Sequence, residues 1–313
     1  MGIINKLKHY SINIISDIKY SKKIELKDSI AADIIRKTHS IEKGLSLKNV
    51  RLGFGHAKQE ELIKEIEFLE SEELNGYYIE AIKMAVSSLN TYINFHNEKE
   101  YNDDFMLKLQ NFVENHSKYI DSEYGGIKKL DLKELNFEID KIEKFFLTRH
   151  SIRDFSHENI NDEELKKAIM LAQTSPSACN RQGYRIYVFE KDTSPEIAKW
   201  ISGVGGFTED LNRILIITAK TSSYKENENY QYIVSASIFA AYLSLTLHLY
   251  GMGACIIQRP VIWNRTWEKL RKKYNIKEDE QIICMIGVGK LKDGVTVPIS
   301  HRLDINEIVK FIK

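Results

Sequence analysis

Arg149-His150-Ser151-Ile152-Arg153 gathers two guanidiniums, an imidazole and a hydroxyl in one short run. Along an extended chain side chains alternate, so Arg149, Ser151 and Arg153 would share a face. Guanidinium forks match phosphate oxygens two bonds at a time. The run therefore suits a clamp for a phosphate and an adjoining polyol; a solvated basic corner would read the same way. A second run, Ser175-Pro176-Ser177-Ala178-Cys179-Asn180-Arg181-Gln182, follows an apolar helical stretch and precedes a strand pattern. Pro176 restrains the backbone, while Asn180 and Gln182 offer both donors and acceptors. Such a loop suits a heterocycle with carbonyl and imide edges, and an ordinary helix-to-strand turn is its plain alternative. His39 and Glu42 stand at helical i, i+3 spacing. With no further ligand in view, a hydrogen-bonded helix end is a simpler reading than a metal site. Cys179 could be redox-active, but nothing beside it resembles a resolving partner. Trp200, Trp263 and Trp267 could stack on a substrate or simply pack.

The elements that must position these residues fall into two textures. Up to about residue 120 the pattern is helical. Ile30, Ile34 and Ile35 line one face, with Gly44 as a stop, and Leu62, Ile63, Ile66 and Leu69 repeat at helical spacing. So do Tyr78 to Ile93, then Phe105, Leu109 and Phe112. Gly125-Gly126 breaks the pattern, and a charged connector over 128–144 ends in a helix carrying Ile142, Phe145 and Phe146. Beyond Leu147 strands enter. Asn161 can cap a helix, with Glu164 three residues on and Ile160 and Leu165 placed as a hydrophobic staple. Strand patterns cover 185–190, 213–218, 255–258 and 282–288. The long apolar helix over 232–250 must be covered nearly all round. Asp304 caps a last helix with Ile305, Ile308 and Phe311 on its face. The expected fold class is α+β, with a helical region over 1–140 and a second unit over 141–313.

Lys+Arg (45) and Asp+Glu (44) nearly cancel, leaving a formal charge of +1. That balance provides no electrostatic footprint for nucleic acid. Cys179, Cys255 and Cys284 are far apart, an odd count ill suited to a disulfide framework. A cytoplasmic location is the expectation, and no secretory signal is read. The start, Met1-Gly2-Ile3-Ile4-Asn5-Lys6, has Lys6 where a myristoylation site needs Ser or Thr. Residues 3–19 are apolar on one side and too short and polar to span a bilayer. They could lie on a membrane surface or dock as an ordinary helix.

Taken together and in this order, the two runs resemble the FMN-dependent nitroreductase family. Its arginine-rich R-[RH]-S-x-[RK]-x-[FY] reads here as Arg149 to Phe155, and its P-S-x-x-N-x-Q loop as Pro176 to Gln182. Gly251-Met252-Gly253-Ala254-Cys255, Gly287-Val288-Gly289 and Arg302 continue the likeness over roughly 142–313. The resemblance implies a central, mainly antiparallel sheet flanked by helices, with a long central dimer helix. It implies that Arg149, Arg153 and Arg302 hold the FMN phosphate and ribityl end, lined by His150 and Ser151. Ser177, Asn180 and Gln182 would approach the isoalloxazine, and the backbone at Gln258 and Arg259 would face flavin N5. The two sets come from different subunits in the family, implying a homodimer. NADH or NADPH would donate hydride and a small molecule would accept it; oxidation of a biosynthetic intermediate, or a non-catalytic binding role, are the alternatives. Two departures are visible: Arg259-Pro260, and Gly183-Tyr184 where Pro-Trp is frequent. The N-terminal H-S-I-E-K-G-L…R-x-G-F-G stretch resembles one found in a bacterial subgroup associated with surface polysaccharide biosynthesis. Its Gly53-Phe54-Gly55 turn could be a lid over the flavin or a connector.

Overall fold

A computed structural model describes residues 26–198, 206–207, 211–225, 227–228, 230–258 and 265–312. The apolar repeats of the first half fold into α1 (Leu26–Leu45), α2 (His56–Glu70), α3 (Gly76–Asn97) and α4 (Asp104–Asn115). Local chemistry sets their starts. The Asn75 side chain accepts from the Tyr78 N–H, and Asp103 from the Met106 N–H, each satisfying a donor the helix leaves open. Ile34, Leu62, Ile82, Leu89 and Leu109 meet in one core built only from residues 30–119.

The connector leads to α5 (Ile139–Thr148), none of whose side chains is buried. Helix α6 (Asp162–Ala172) starts as its sequence predicts: Asn161 accepts from the Glu163 and Glu164 N–H groups, and Ile160 and Leu165 enter the same apolar cluster. Strand β1 (Tyr184–Phe189) is followed by the short α7 (Ser194–Ala198) and β2 (Arg213–Lys220). Then come α8 (Gln231–Leu249), β3 (Met252–Ile257), α9 (Arg265–Lys273), β4 (Glu280–Lys290) and α10 (Ile305–Ile308). The strands form one antiparallel sheet in the order β1-β2-β4-β3. Every residue of β2 is buried, as befits a central strand covered on both faces. One face carries Leu215, Ile217 and Ile286 toward α6 and α8; the other carries Ile214, Ile216 and Met285. The class is α+β, as the sequence implies.

Three sequence readings need correction. Helix α8 is not covered all round: Val234, Tyr242 and Leu249 lie on a bare stripe, exposed 48%, 39% and 56%. Strand β3 begins at Met252 rather than Cys255, because Gly253 fits beneath Ile152, where a Cβ would meet its side chain at 3.0 Å. Helix α10 stops at Ile308, leaving Phe311 beyond it. The readings for residues 3–19, Trp200, Arg259-Pro260 and Trp263 lie outside the described residues.

Candidate functional site

The arginine-rich run leaves α5 in extended conformation at Arg149 (φ −75°, ψ 117°). Ile152 donates its N–H to the Ala254 carbonyl at 3.0 Å, and Ser151 bridges Ala254 in parallel sense. The run thus lies along β3, the sheet's edge strand. Ile152 points into the core, leaving Ser151 and Arg153 on the outward side, so the alternation holds. Arg149 and His150 lie near His248 at the end of α8, where burial and the charge of Arg149 hold the imidazole below its usual value. Arg153 donates to the Ser151 carbonyl two residues back at 3.4 Å, and Arg302 to the Ser300 carbonyl at 2.5 Å. Among the described residues none of Arg149, Arg153 and Arg302 pairs with a carboxylate. Arg36, Arg181 and Arg213, by contrast, each hold one. Three guanidiniums with open forks are the donor set that a phosphate needs.

The second run forms the turn before β1. Cys179, Asn180 and Gln182 all have left-handed backbones, with φ of 52°, 54° and 47°. Non-glycine residues hold such conformations only where their surroundings over-determine them. Ser177 Oγ accepts the Gln182 N–H at 3.1 Å, and Ser235 Oγ of α8 accepts the Ala178 N–H at 3.1 Å. Asn180 is exposed and Gln182 half-buried, so both amides are presented outward. The Gly183 departure has a local cause. A Cβ there would meet Tyr224 Cε2 at 2.8 Å, so the ring of Tyr224 occupies the space a proline would need. Tyr184 stacks on Phe239 of α8 with centroids 3.9 Å apart.

The structure does not bring the two runs together within one chain. The clamp follows β3 and the turn feeds β1, at opposite edges of the sheet. Three strand intervals separate those edges, about 14 Å at the usual spacing. Gln258 follows β3 directly and is exposed.

Helix α1 of the N-terminal half packs against this second run, alongside Ala178–Asn180 and Thr221–Ser223. Lys220 donates to Asp28 of α1, and both are almost fully buried. The Tyr78 hydroxyl also donates to Asp28, at 3.0 Å. Burial would raise the Asp28 carboxyl; the hydrogen bond and charge of Lys220 outweigh it and hold it below the usual carboxylate range. Ser222 donates to Asp279, whose carboxylate lies 3.9 Å from Lys220. The H-S-I-E-K-G-L stretch faces the other way. Glu42 accepts from Ser88 Oγ at 2.9 Å and from the Gly126 N–H at 3.2 Å. A Cβ on Gly44 would meet Phe54 Cε2 at 2.3 Å, so only glycine lets α1 lie against that ring. Gly53 donates its N–H to His96 Nε2 at 3.1 Å, and Tyr92 its hydroxyl to the Phe54 carbonyl at 2.9 Å. The Gly53-Phe54-Gly55 turn is therefore an internal corner of the helical half, not a lid.

Residues 147–205 match the family model described as the Nitroreductase family. That span contains both runs. Among solved structures, the nitroreductase family protein of Streptococcus pneumoniae is 18% identical with a TM-score of 0.46, covering 55% of this chain and 100% of its own. The FMN-dependent nitroreductase of Clostridium difficile is 23% identical with a TM-score of 0.45, covering 54% and 98%. A nitroreductase-like protein of Streptococcus mutans is 14% identical with a TM-score of 0.49, covering 56% and 100%. No curated protein matches the chain.

Proposed function

We propose that residues 141–313 form an FMN-dependent oxidoreductase unit whose cofactor lies between two copies of the chain, with residues 1–140 as a separate helical domain. The observation that carries this reading is the family match over 147–205, which spans Arg149 and Arg153 of the guanidinium clamp and the strained amide loop. Arg149, Arg153 and Arg302 would hold the phosphate, with His150 and Ser151 lining the polyol. Ser177, Asn180 and Gln182 would face the ring, and Gln258 and Arg259 its reactive edge. Bound FMN would supply hydride transfer, taking it from NADH or NADPH and passing it to a small-molecule acceptor; the protein's part is to bind and orient.

The dimer rests on two observations. Clamp and loop lie at opposite sheet edges, so one ring and phosphate can engage both if a second copy supplies one of them. The chain also leaves a large apolar surface uncovered. Phe137, Ile139, Ile142, Phe146 and Leu147 line an open groove at α5. Ile299, Leu303, Phe311 and Ile312 of the C-terminal tail are at least 72% exposed, and the stripe on α8 adds to them. Clusters of large exposed apolar side chains mark candidate interaction surfaces. The three cysteines are free thiols, which suits a reducing cytoplasm. The surface-polysaccharide association of the N-terminal stretch makes a sugar-linked acceptor the first class to try.

The test is the visible spectrum of the purified dimer, followed by anaerobic titration with NADH and NADPH. Flavin bands bleached by either nucleotide are expected. Protein that takes up no FMN would overturn the reading, and a flavin left oxidised by both donors would replace the reductase with an oxidase. Sedimentation should report a dimer.

A further inference from the structure

We propose that Arg181 and Glu228 are positioning residues that lock the Ser177–Gln182 loop in its left-handed conformation, so that Asn180 and Gln182 are presented ready-formed. The proposal rests on the flavin reading only for what the loop holds.

Arg181 lies inside the loop, yet its side chain turns away from the exposed amides. It is the largest fully buried side chain among the described residues, 2% exposed. Its guanidinium donates to both carboxylate oxygens of Glu228, at 2.6 and 2.8 Å. It also donates to the Ser223 carbonyl at 3.1 Å and, through Nε, to the Ala178 carbonyl at 3.0 Å. Tyr224 covers the remaining face, with the guanidinium carbon 4.4 Å from the ring centroid. The planar fork is therefore fixed on every side, and the backbone bearing it can rotate little. Cys179 and Asn180 precede it and Gln182 follows, so the three left-handed residues flank this one anchor.

Glu228 is held in turn. Its carboxylate accepts the Lys225 N–H at 2.9 Å, closing the segment on itself. The nearby Arg36 guanidinium adds a favourable field, while Arg36 itself bonds Asp33 at 2.5 Å. Asp33 also lies 3.7 Å from Lys225. Helix α1 thus meets the lock through opposite charges, which gives the N-terminal half a part in shaping the loop. Gly183 belongs to the same unit, since the Tyr224 ring that covers Arg181 also excludes a side chain there. Glu228 is spent on Arg181 and the Lys225 N–H, so a change there reaches the exposed amides through the loop that Arg181 holds.

The experiment compares the full chain with Glu228→Ala and Glu228→Gln. In cofactor-free protein, iodoacetamide labelling of Cys179 is followed by peptide mass. Cys255 and Cys284 are buried and serve as internal controls for the global fold. FMN affinity is then read by quenching of flavin fluorescence. Loss of the lock should raise the Cys179 labelling rate at least about tenfold, because the loop opens locally. Glu228→Gln keeps the side-chain volume and one carbonyl oxygen, so it should fall between wild type and Glu228→Ala. Where the wild type binds FMN, affinity should weaken in the same order. If Glu228→Ala also exposes Cys255 and Cys284, Glu228→Gln alone decides, by the same labelling ratio. Cys179 labelling within about twofold of wild type in both variants would overturn the lock. Wild-type protein that binds no FMN while Cys179 responds as expected would overturn the flavin reading and uphold the lock.

Discussion

Removing Lys220 or Asp28 tests how firmly the helical half is tied to the sheet. The pair joins α1 to the end of β2 across 192 residues, and its side chains are 3% and 4% exposed. Removing one partner of a buried pair typically costs about 3–5 kcal/mol, because the other charge is left without compensation. The surroundings place the two variants differently in that range. After Lys220→Met, Asp28 keeps the Tyr78 hydroxyl at 3.0 Å and a half-exposed Lys277 at 3.5 Å, so about 3 kcal/mol is expected. After Asp28→Asn, the buried ammonium of Lys220 keeps, among the described residues, the Asp279 carboxylate, 3.9 Å away and shared with Ser222, and the face of the Tyr77 ring at 5.6 Å, so about 4–5 kcal/mol is expected. Changing both partners should cost much less than the sum, with a coupling of at least about 2 kcal/mol. Urea unfolding of the full chain, followed by circular dichroism, reads this out. At a slope of about 3 kcal/mol/M, Lys220→Met should lower the midpoint by about 1 M. The pH dependence has a fixed sign. The folded Asp28 carboxyl is held below its value of 3.8 in the unfolded chain, so its contribution is complete above that pH and is lost as pH falls below it. Either single variant within about 1 kcal/mol of wild type, or a coupling near zero, would refute the reasoning.

Arg149→Ala and Arg302→Ala should each weaken FMN binding about 10- to 150-fold, since a charge-assisted contact contributes about 1.5–3 kcal/mol; unchanged affinity in both, measured by fluorescence quenching, would remove the clamp. Gly183→Ala should destabilise the chain by about 1–3 kcal/mol through overpacking against Tyr224, and the loss should shrink in a Tyr224→Leu background. His96 is buried; burial lowers its pKa, although the bond from Nδ1–H to the Tyr92 carbonyl pulls the other way. The folded pKa therefore lies below the unfolded 6.5, and stability should fall as pH drops below that value, a slope that His96→Gln should flatten in urea midpoints.

What the sequence discloses and what it hides divide along the range of the interactions. The Asn161 cap, the Ile160–Leu165 staple and the repeats of α1 to α4 are written within a few residues of one another, and each is met in the structure. The alternation of Arg149 to Arg153 is equally local and holds because Ile152 anchors it on β3. Arg181 is visible only as a residue of the loop. Its partner Glu228 lies 47 residues on, and no periodicity marks that distance. The Lys220–Asp28 pair crosses the two textures the composition separates, so nothing in either half announces it. The H-S-I-E-K-G-L stretch follows the simpler of its two readings, a hydrogen-bonded helix end, but its partners too are distant in sequence. Its histidine and acid could do chemistry, yet Glu42 is taken up by hydrogen bonds from Ser88 and Gly126, and Gly44 by close packing against Phe54.

The C-terminal tail shows a third case, where the signal is local but only partly realised among the described residues. Asp304 caps the start as expected, its side chain accepting the Asn306 N–H. The apolar residues Ile305, Ile308 and Phe311 predict a helix, yet it lasts only to Ile308. So short a helix is not stable by propensity; it needs a surface on which to bury its apolar face. Among the described residues the tail finds none, since Phe311 and Ile312 are 91% and 94% exposed. Arg302 opens this same tail, its guanidinium bonded to the Ser300 carbonyl and to no carboxylate among the described residues. If a second copy covers the apolar residues, it also fixes where Arg302 points. The clamp and the dimer would then form together, and mutations that free the tail should weaken FMN binding without touching any residue that contacts the phosphate.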